Sequence, residues 1–240
     1  MSFALECQKV KRTGFTPAFI GGGIIAAAVP ALNMAFRSEM YIHMDAAPVK
    51  ILLNANWQMM AMLNVLLIVV GACILYNIEY ADNAIQRMCT LPTKESSLFF
   101  GKTVLIISLS ILFLLVEAAS ITVCAVHWFT PGQEIYKEIL QNFGFSLLLL
   151  LPSILLSLLI SAACKNMWVS LGIGVICVLI ATMIPTGNFA LTLFPFALPF
   201  QTLADLTKEI IRNYAIASAA ETVVISALAV IILKVRRAFE

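Results

Sequence analysis

Charge is scarce in this chain. Only 12% of its 240 residues are Asp, Glu, Lys or Arg, while 61% are hydrophobic and the mean hydropathy is +0.97. A soluble domain of this length cannot hide so much apolar surface, so most of the chain must sit in lipid. Histidine is scarcer still. His43 and His127 stand alone, neither beside a cysteine, which excludes a zinc pair and an imidazole-based triad. The six cysteines, Cys7, Cys73, Cys89, Cys124, Cys164 and Cys177, include no C-x-x-C pair, so no metal ligand set is expected. There is no G-x-S-x-G, no H-E-x-x-H and no carboxylate cluster of the kind an intramembrane protease needs, so the catalytic inventory is empty. A net charge of +2 is too small to argue for nucleic acid. No repeat, low-complexity tract or linker divides residues 1–240, which read as one membrane domain.

What the chain has in abundance is long apolar runs. Six qualify as transmembrane helices: residues 15–36, 57–78, 104–126, 143–163, 168–185 and 215–233. Each is roughly 18 to 23 residues long, which matches a hydrocarbon core of about 30 Å at about 1.5 Å rise per residue. The first run is too long for a signal-peptide core and lacks a small-residue cleavage site, so it reads as a retained span. Basic residues set the orientation. With both termini in the cytoplasm, the inner segments hold Lys9, Lys11, Arg12, Arg87, Lys94, Lys102, Lys165, Lys234, Arg236 and Arg237. The outer loops then hold only Arg37, Lys50, Lys137, Lys208 and Arg212, as the positive-inside rule requires. None of the cysteines then lies in an outer loop, so structural disulfides are not expected. Trp57, Trp128 and Trp168 fall at span ends, where an indole prefers the headgroup zone.

Two further elements follow from composition. Residues 189–200 are apolar but contain Pro195 and Pro199, too short and too broken to span, and read as a re-entrant or interfacial element on the outer side. The first fourteen residues form a candidate interfacial helix, with Phe3, Cys7 and Val10 on one face and Lys9, Lys11 and Arg12 within reach of lipid phosphates.

Between the second and third spans lies Glu79-Tyr80-Ala81-Asp82-Asn83-Ala84-Ile85-Gln86-Arg87-Met88-Cys89-Thr90-Leu91-Pro92. Tyr80, Ala84, Ile85, Met88 and Leu91 share one face of a helix, and Asp82, Asn83, Gln86 and Arg87 take the other. Pro92 stops that helix, since it has no amide hydrogen and disfavours the α-conformation of the residue before it. Such a short amphipathic helix suits a membrane protein that receives force from a soluble partner.

Inside the spans, Glu117 and Glu221 stand out, because an ionisable group at that depth costs about 2.5 to 3.5 kcal/mol on insertion scales. Both fall in the outer half of the membrane and are candidates to line one polar cavity. The alternative is a structural role, each protonated or paired with a Ser, Thr or Asn of a neighbouring helix, with Ser120, Thr122, Ser218 and Thr222 available. Gly101-Lys102-Thr103 resembles the end of a phosphate-binding loop, but the glycine that motif needs five residues earlier is Ser96. Lys102 reads instead as a residue snorkelling from the inner end of the third span. Gly21-Gly22-Gly23 gives the first span a smooth packing face, and Pro30 and Pro152 are expected to bend their helices.

Six spans with both termini inside, an interfacial start and a helix-bearing loop between spans two and three resemble the type-2 permeases of ABC exporters. The resemblance is most specific at Glu79, at the helix after it, and at Thr90-Leu91-Pro92 followed by Gly101-Lys102. It implies that Glu79, Tyr80, Ala84, Ile85, Met88 and Leu91 couple to ATPase subunits on a separate chain, where ATP and Mg would be bound. It also implies a second permease chain, identical or sister, in a bacterial cytoplasmic membrane. The overall size and the segment Asn56-Trp57-Gln58-Met59-Met60 look most like lantibiotic-immunity and peptide-antibiotic-resistance permeases, which implies a peptide or other hydrophobic substrate taken from membrane lipid. Export of another drug, an ion or a lipid is the alternative within the class. Outside it stand a membrane scaffold, which has no use for a coupling helix, and an intramembrane enzyme, which lacks its catalytic groups.

Overall fold

The computed structural model describes residues 9, 10, 14–80, 95–129, 134–164, 166–185, 188–204 and 206–239. All regular structure among them is helical. The elements are α1 (Phe15–Ile42), α2 (Pro48–Tyr80), α3 (Glu95–Trp128), α4 (Ile135–Ala163), α5 (Met167–Met183), the single turn α6 (Phe189–Thr192), a 3-10 turn at Leu198–Phe200, and α7 (Lys208–Phe239).

Five helices, α1 to α4 and α7, are long and apolar enough to cross a membrane; α5 is apolar but only 17 residues long. The helices outrun the apolar runs that announce them. α2 begins at Pro48 rather than residue 57, α3 at Glu95 rather than 104, and α1 continues to Ile42 rather than 36. Backbone bonding within a helix continues past the point where side chains turn polar, so hydropathy marks the lipid-facing middle and not the ends. Pro30 and Pro152 both lie inside their helices, and the residue of α1 with non-helical backbone angles is Arg37 (φ −136°, ψ 24°).

The architecture is a bundle centred on α2 and α4. α1 packs against α3 and α2, α5 against α2, and α7 against α4 and more lightly α3. Sequence decides the tightest of these approaches. A β-carbon at Gly22 would run into the side chain of Leu67 of α2, and one at Gly23 would lie 2.7 Å from Cβ of Phe113 of α3. Without a hydrophobic force between helices in lipid, such close approach supplies the dispersion contacts that hold them together.

Residues 189–203 fold back into the bundle. Ser153, deep within α4, donates to the Pro195 carbonyl at 2.6 Å, and the Trp57 indole of α2 donates to the Pro199 carbonyl at 3.1 Å. Asn142 near the start of α4 accepts from the Leu203 amide at 2.9 Å, and Thr192 pairs with the Tyr214 hydroxyl of α7 at 2.8 Å. Proline breaks helical bonding here, and side chains of two helices, α2 and α4, satisfy part of the backbone it frees. Trp57 is therefore buried, with its ring edge-on to Phe143, and does not sit at a lipid interface as its place at a span end predicts. Trp168 is 72% exposed.

Candidate functional site

At one end of the bundle α2 finishes at Tyr80 and α3 starts at Glu95. The carboxylate of Glu79 is buried there, and two lysines donate to its Oε1: Lys102 of α3 at 2.5 Å and Lys9 at 3.3 Å. Lys102 is fully buried, and its ammonium also lies 5.4 Å from the centre of the Tyr76 ring, one turn before Glu79 on α2. An ammonium between a carboxylate and an aromatic face regains part of the hydration it has lost. One residue on, the Tyr80 hydroxyl donates to the Ala162 carbonyl in the last turn of α4 at 2.6 Å. Charge and hydrogen bonding thus tie α2 to α3, α4 and the N-terminal segment at the base of the stretch between Tyr80 and Glu95.

Two expectations are corrected here. Lys102 does not snorkel outward but turns into the bundle, because Glu79 offers a partner closer than water. Lys9 points at the same carboxylate and not at lipid. Of the six coupling residues, Glu79 and Tyr80 lie at this base, while Ala84, Ile85, Met88 and Leu91 lie outside the described residues, as does the helix expected to carry them. Phe3, Cys7, Lys11 and Arg12 also lie outside them.

The second polar centre is deep in the helix packing. Asn64 of α2 donates to Glu117 Oε2 of α3 at 3.1 Å, both side chains buried. Glu117 Oε1 and Asn64 Oδ1 have no partner among the described residues, and neither does the buried Oε2 of Glu221 on α7. The hydroxyls expected to serve these carboxylates all go elsewhere: Ser120 to the Ala27 carbonyl, Thr122 to Ala118, Ser218 to Leu148 and Thr222 to Ser218. Thr122 and Thr222 bond the carbonyl one turn back in their own helices, and Ser120 and Ser218 bond carbonyls of the helices packed against them, α1 and α4. The partner of Glu117 is an amide of a neighbouring helix, one of the residue types the sequence allows, but it is Asn64 and none of the four hydroxyls in view.

Among the described residues no three His, Cys, Asp or Glu come together as a metal site. The described geometry joins five span-length apolar helices, a buried ion pair at one end of the bundle, and two carboxylates, Glu117 and Glu221, along its helices. The family model for ABC-2 family transporter proteins matches residues 2–181 of the 240. The chain belongs to that family and is the membrane permease of an ABC transporter, the transport subunit that works with separate ABC ATPase partners. Comparison with curated proteins and with solved structures found no match.

Proposed function

We propose that this permease belongs to an exporter that removes an amphipathic peptide antibiotic from the bacterial cytoplasmic membrane, giving immunity to a lantibiotic or bacteriocin. The observation that carries the export reading is the family match over residues 2–181, on a body with five span-length apolar helices. The peptide substrate rests on the likeness of size and of Asn56–Met60 noted above. In this reading α5 is a sixth, short span, both termini are cytoplasmic, and residues 189–203 form a re-entrant hairpin at the outer side. Support for the hairpin comes from Ser153, Trp57 and Asn142, which hold it inside the bundle.

The working cycle follows. Residues 81–94 sit in a groove of the ATPase, with Ala84, Ile85, Met88 and Leu91 facing it. Closure of the ATPase pair around ATP moves that segment, and Glu79 and Tyr80 pass the movement to the bundle. A second permease chain, identical or sister, completes the path, and Glu117 and Glu221 line a shared polar cavity along it.

The test is a resistance profile. The chain and the ATPase subunit that co-purifies with it are expressed in a sensitive bacterial host, and inhibitory concentrations of nisin and of the cationic dye ethidium are measured. At least a fourfold rise for nisin with none for ethidium is expected. The reverse pattern assigns the exporter to small drugs.

A further inference from the structure

Resting on the reading of residues 81–94 as the ATPase-facing segment, we propose that Lys102 is a positioning residue. Its ion pair with Glu79 clamps the two ends of that segment, so that α2 and α3 receive the ATPase stroke as one body.

The argument starts from the cost of the arrangement. A lysine seven residues into α3 is about 10 Å from the helix start, within reach of water for its long side chain had it lain on another face. Instead the ammonium is fully buried. Buried ion pairs are poor stabilisers, and well-packed apolar side chains in the same space hold helices together as well or better. What such a pair supplies and a leucine does not is a fixed register between the elements that carry it.

The register here is a particular one. Glu79 is the penultimate residue of α2, and Lys102 lies two turns into α3, so the 2.5 Å contact closes the base from which residues 81–94 leave and to which they return. Tyr76 flanks the same ammonium from α2, and Tyr80 ties that end of α2 to the last turn of α4. Lys9 approaches the same carboxylate oxygen but is more exposed and farther, 27% against 1% for Lys102. Lys9 is therefore the weaker of the two arms. Without the pair, a push on the segment would hinge α2 away from α3 and be spent at its base.

The test uses the permease co-purified with its ATPase subunit in lipid nanodiscs, comparing wild type with Lys102→Met, Lys102→Arg, and the double variant Glu79→Gln/Lys102→Met. Two quantities are read: the amount of ATPase retained, and the permease-dependent ATP hydrolysis, taken as the complex minus the isolated ATPase. The double variant removes both charges and so is expected to assemble with wild-type ATPase content while losing permease-dependent hydrolysis about tenfold. Lys102→Met is expected to lose it similarly, and Lys102→Arg to retain more than half. Full hydrolysis in the double variant overturns the proposal, because it shows that packing alone transmits the stroke. Loss in Lys102→Arg equal to that in Lys102→Met overturns it too. Ile85→Asp separates the two levels of the argument: if it retains both ATPase and hydrolysis, the reading of residues 81–94 fails and not the clamp alone.

Discussion

The carboxamide of Asn64 donates to the carboxyl of Glu117 across the α2–α3 interface at 3.1 Å, with neither side chain exposed. This makes two intramembrane polar residues mutually dependent. Glu117→Gln keeps an acceptor oxygen at nearly the same place, so the purified permease should unfold within a few degrees of wild type. Glu117→Leu leaves the Asn64 amide donor unmatched and should cost about 1–3 kcal/mol. Adding Asn64→Leu should recover part of that loss, since contacting residues are non-additive. Thermal unfolding in detergent measures all three, and strict additivity would show that the contact carries no energy.

The folded-back segment offers a second prediction. Trp57→Phe removes the donor to the Pro199 carbonyl, and Ser153→Ala removes the donor to the Pro195 carbonyl. Each loss is worth about 0.5–1.5 kcal/mol, which shifts a local opening equilibrium severalfold without unfolding the bundle. A cysteine introduced at the buried Ala197, in a cysteine-free background, should react with maleimide slowly in the parent and roughly 2- to 12-fold faster in either variant. Unchanged rates would mean that apolar packing alone holds the segment.

Much of this fold is readable before any coordinates. The apolar runs locate five span-length helices and a shorter sixth, because lipid leaves the backbone no alternative to helical bonding. The broken character of residues 189–200 is legible for the same reason, through Pro195 and Pro199. Pairing is not legible. Glu79 reads from sequence as a coupling residue and Lys102 as a snorkelling base, yet which face of α3 meets α2 decides that they meet each other. A neighbouring-helix Asn is a legible partner type for Glu117, but which one is not, because Asn64 carries no sign in sequence of the face it shares with α3. Trp57 illustrates the limit of position rules: its place at a span end predicts a lipid interface, but a carbonyl freed by a proline break offers its indole a better bond.

Close packing gives a third prediction. A β-carbon at Gly23 would lie 2.7 Å from Cβ of Phe113, which is fixed to its backbone and cannot rotate away. Gly23→Val should therefore force α1 from α3 and cost about 1–3 kcal/mol, whereas Gly21→Val, with nothing within 4 Å of its β-carbon, should cost far less. The yield of monodisperse permease after detergent extraction, together with its unfolding temperature, distinguishes the two. Equal losses would indicate that helix propensity and not the α1–α3 contact sets the result.

The orientation proposed above can be checked residue by residue. Single cysteines at Asp45, between α1 and α2, and at Glu134, before α4, should label with an impermeant reagent on intact cells. A cysteine at Asp82 should label only after the membrane is opened. Labelling of Asp82 from outside would invert the topology and take the ATPase-facing assignment of residues 81–94 with it.

The two membrane acids yield the last prediction. Glu117 lies on α3 and Glu221 on α7, two helices that pack against each other, and each carries a buried oxygen without a partner among the described residues. If both line one cavity, Glu117→Gln and Glu221→Gln should each lower export at least fivefold while leaving assembly with the ATPase intact, because glutamine keeps the size and loses the ability to ionise. The double variant should then be little worse than either single one, since residues acting on one bound species are not independent. Export is read as the nisin resistance conferred on the sensitive host. Multiplying effects would place the acids in separate sites, and two silent variants would make Glu117 a neutral partner of Asn64 and Glu221 a residue without part in the path.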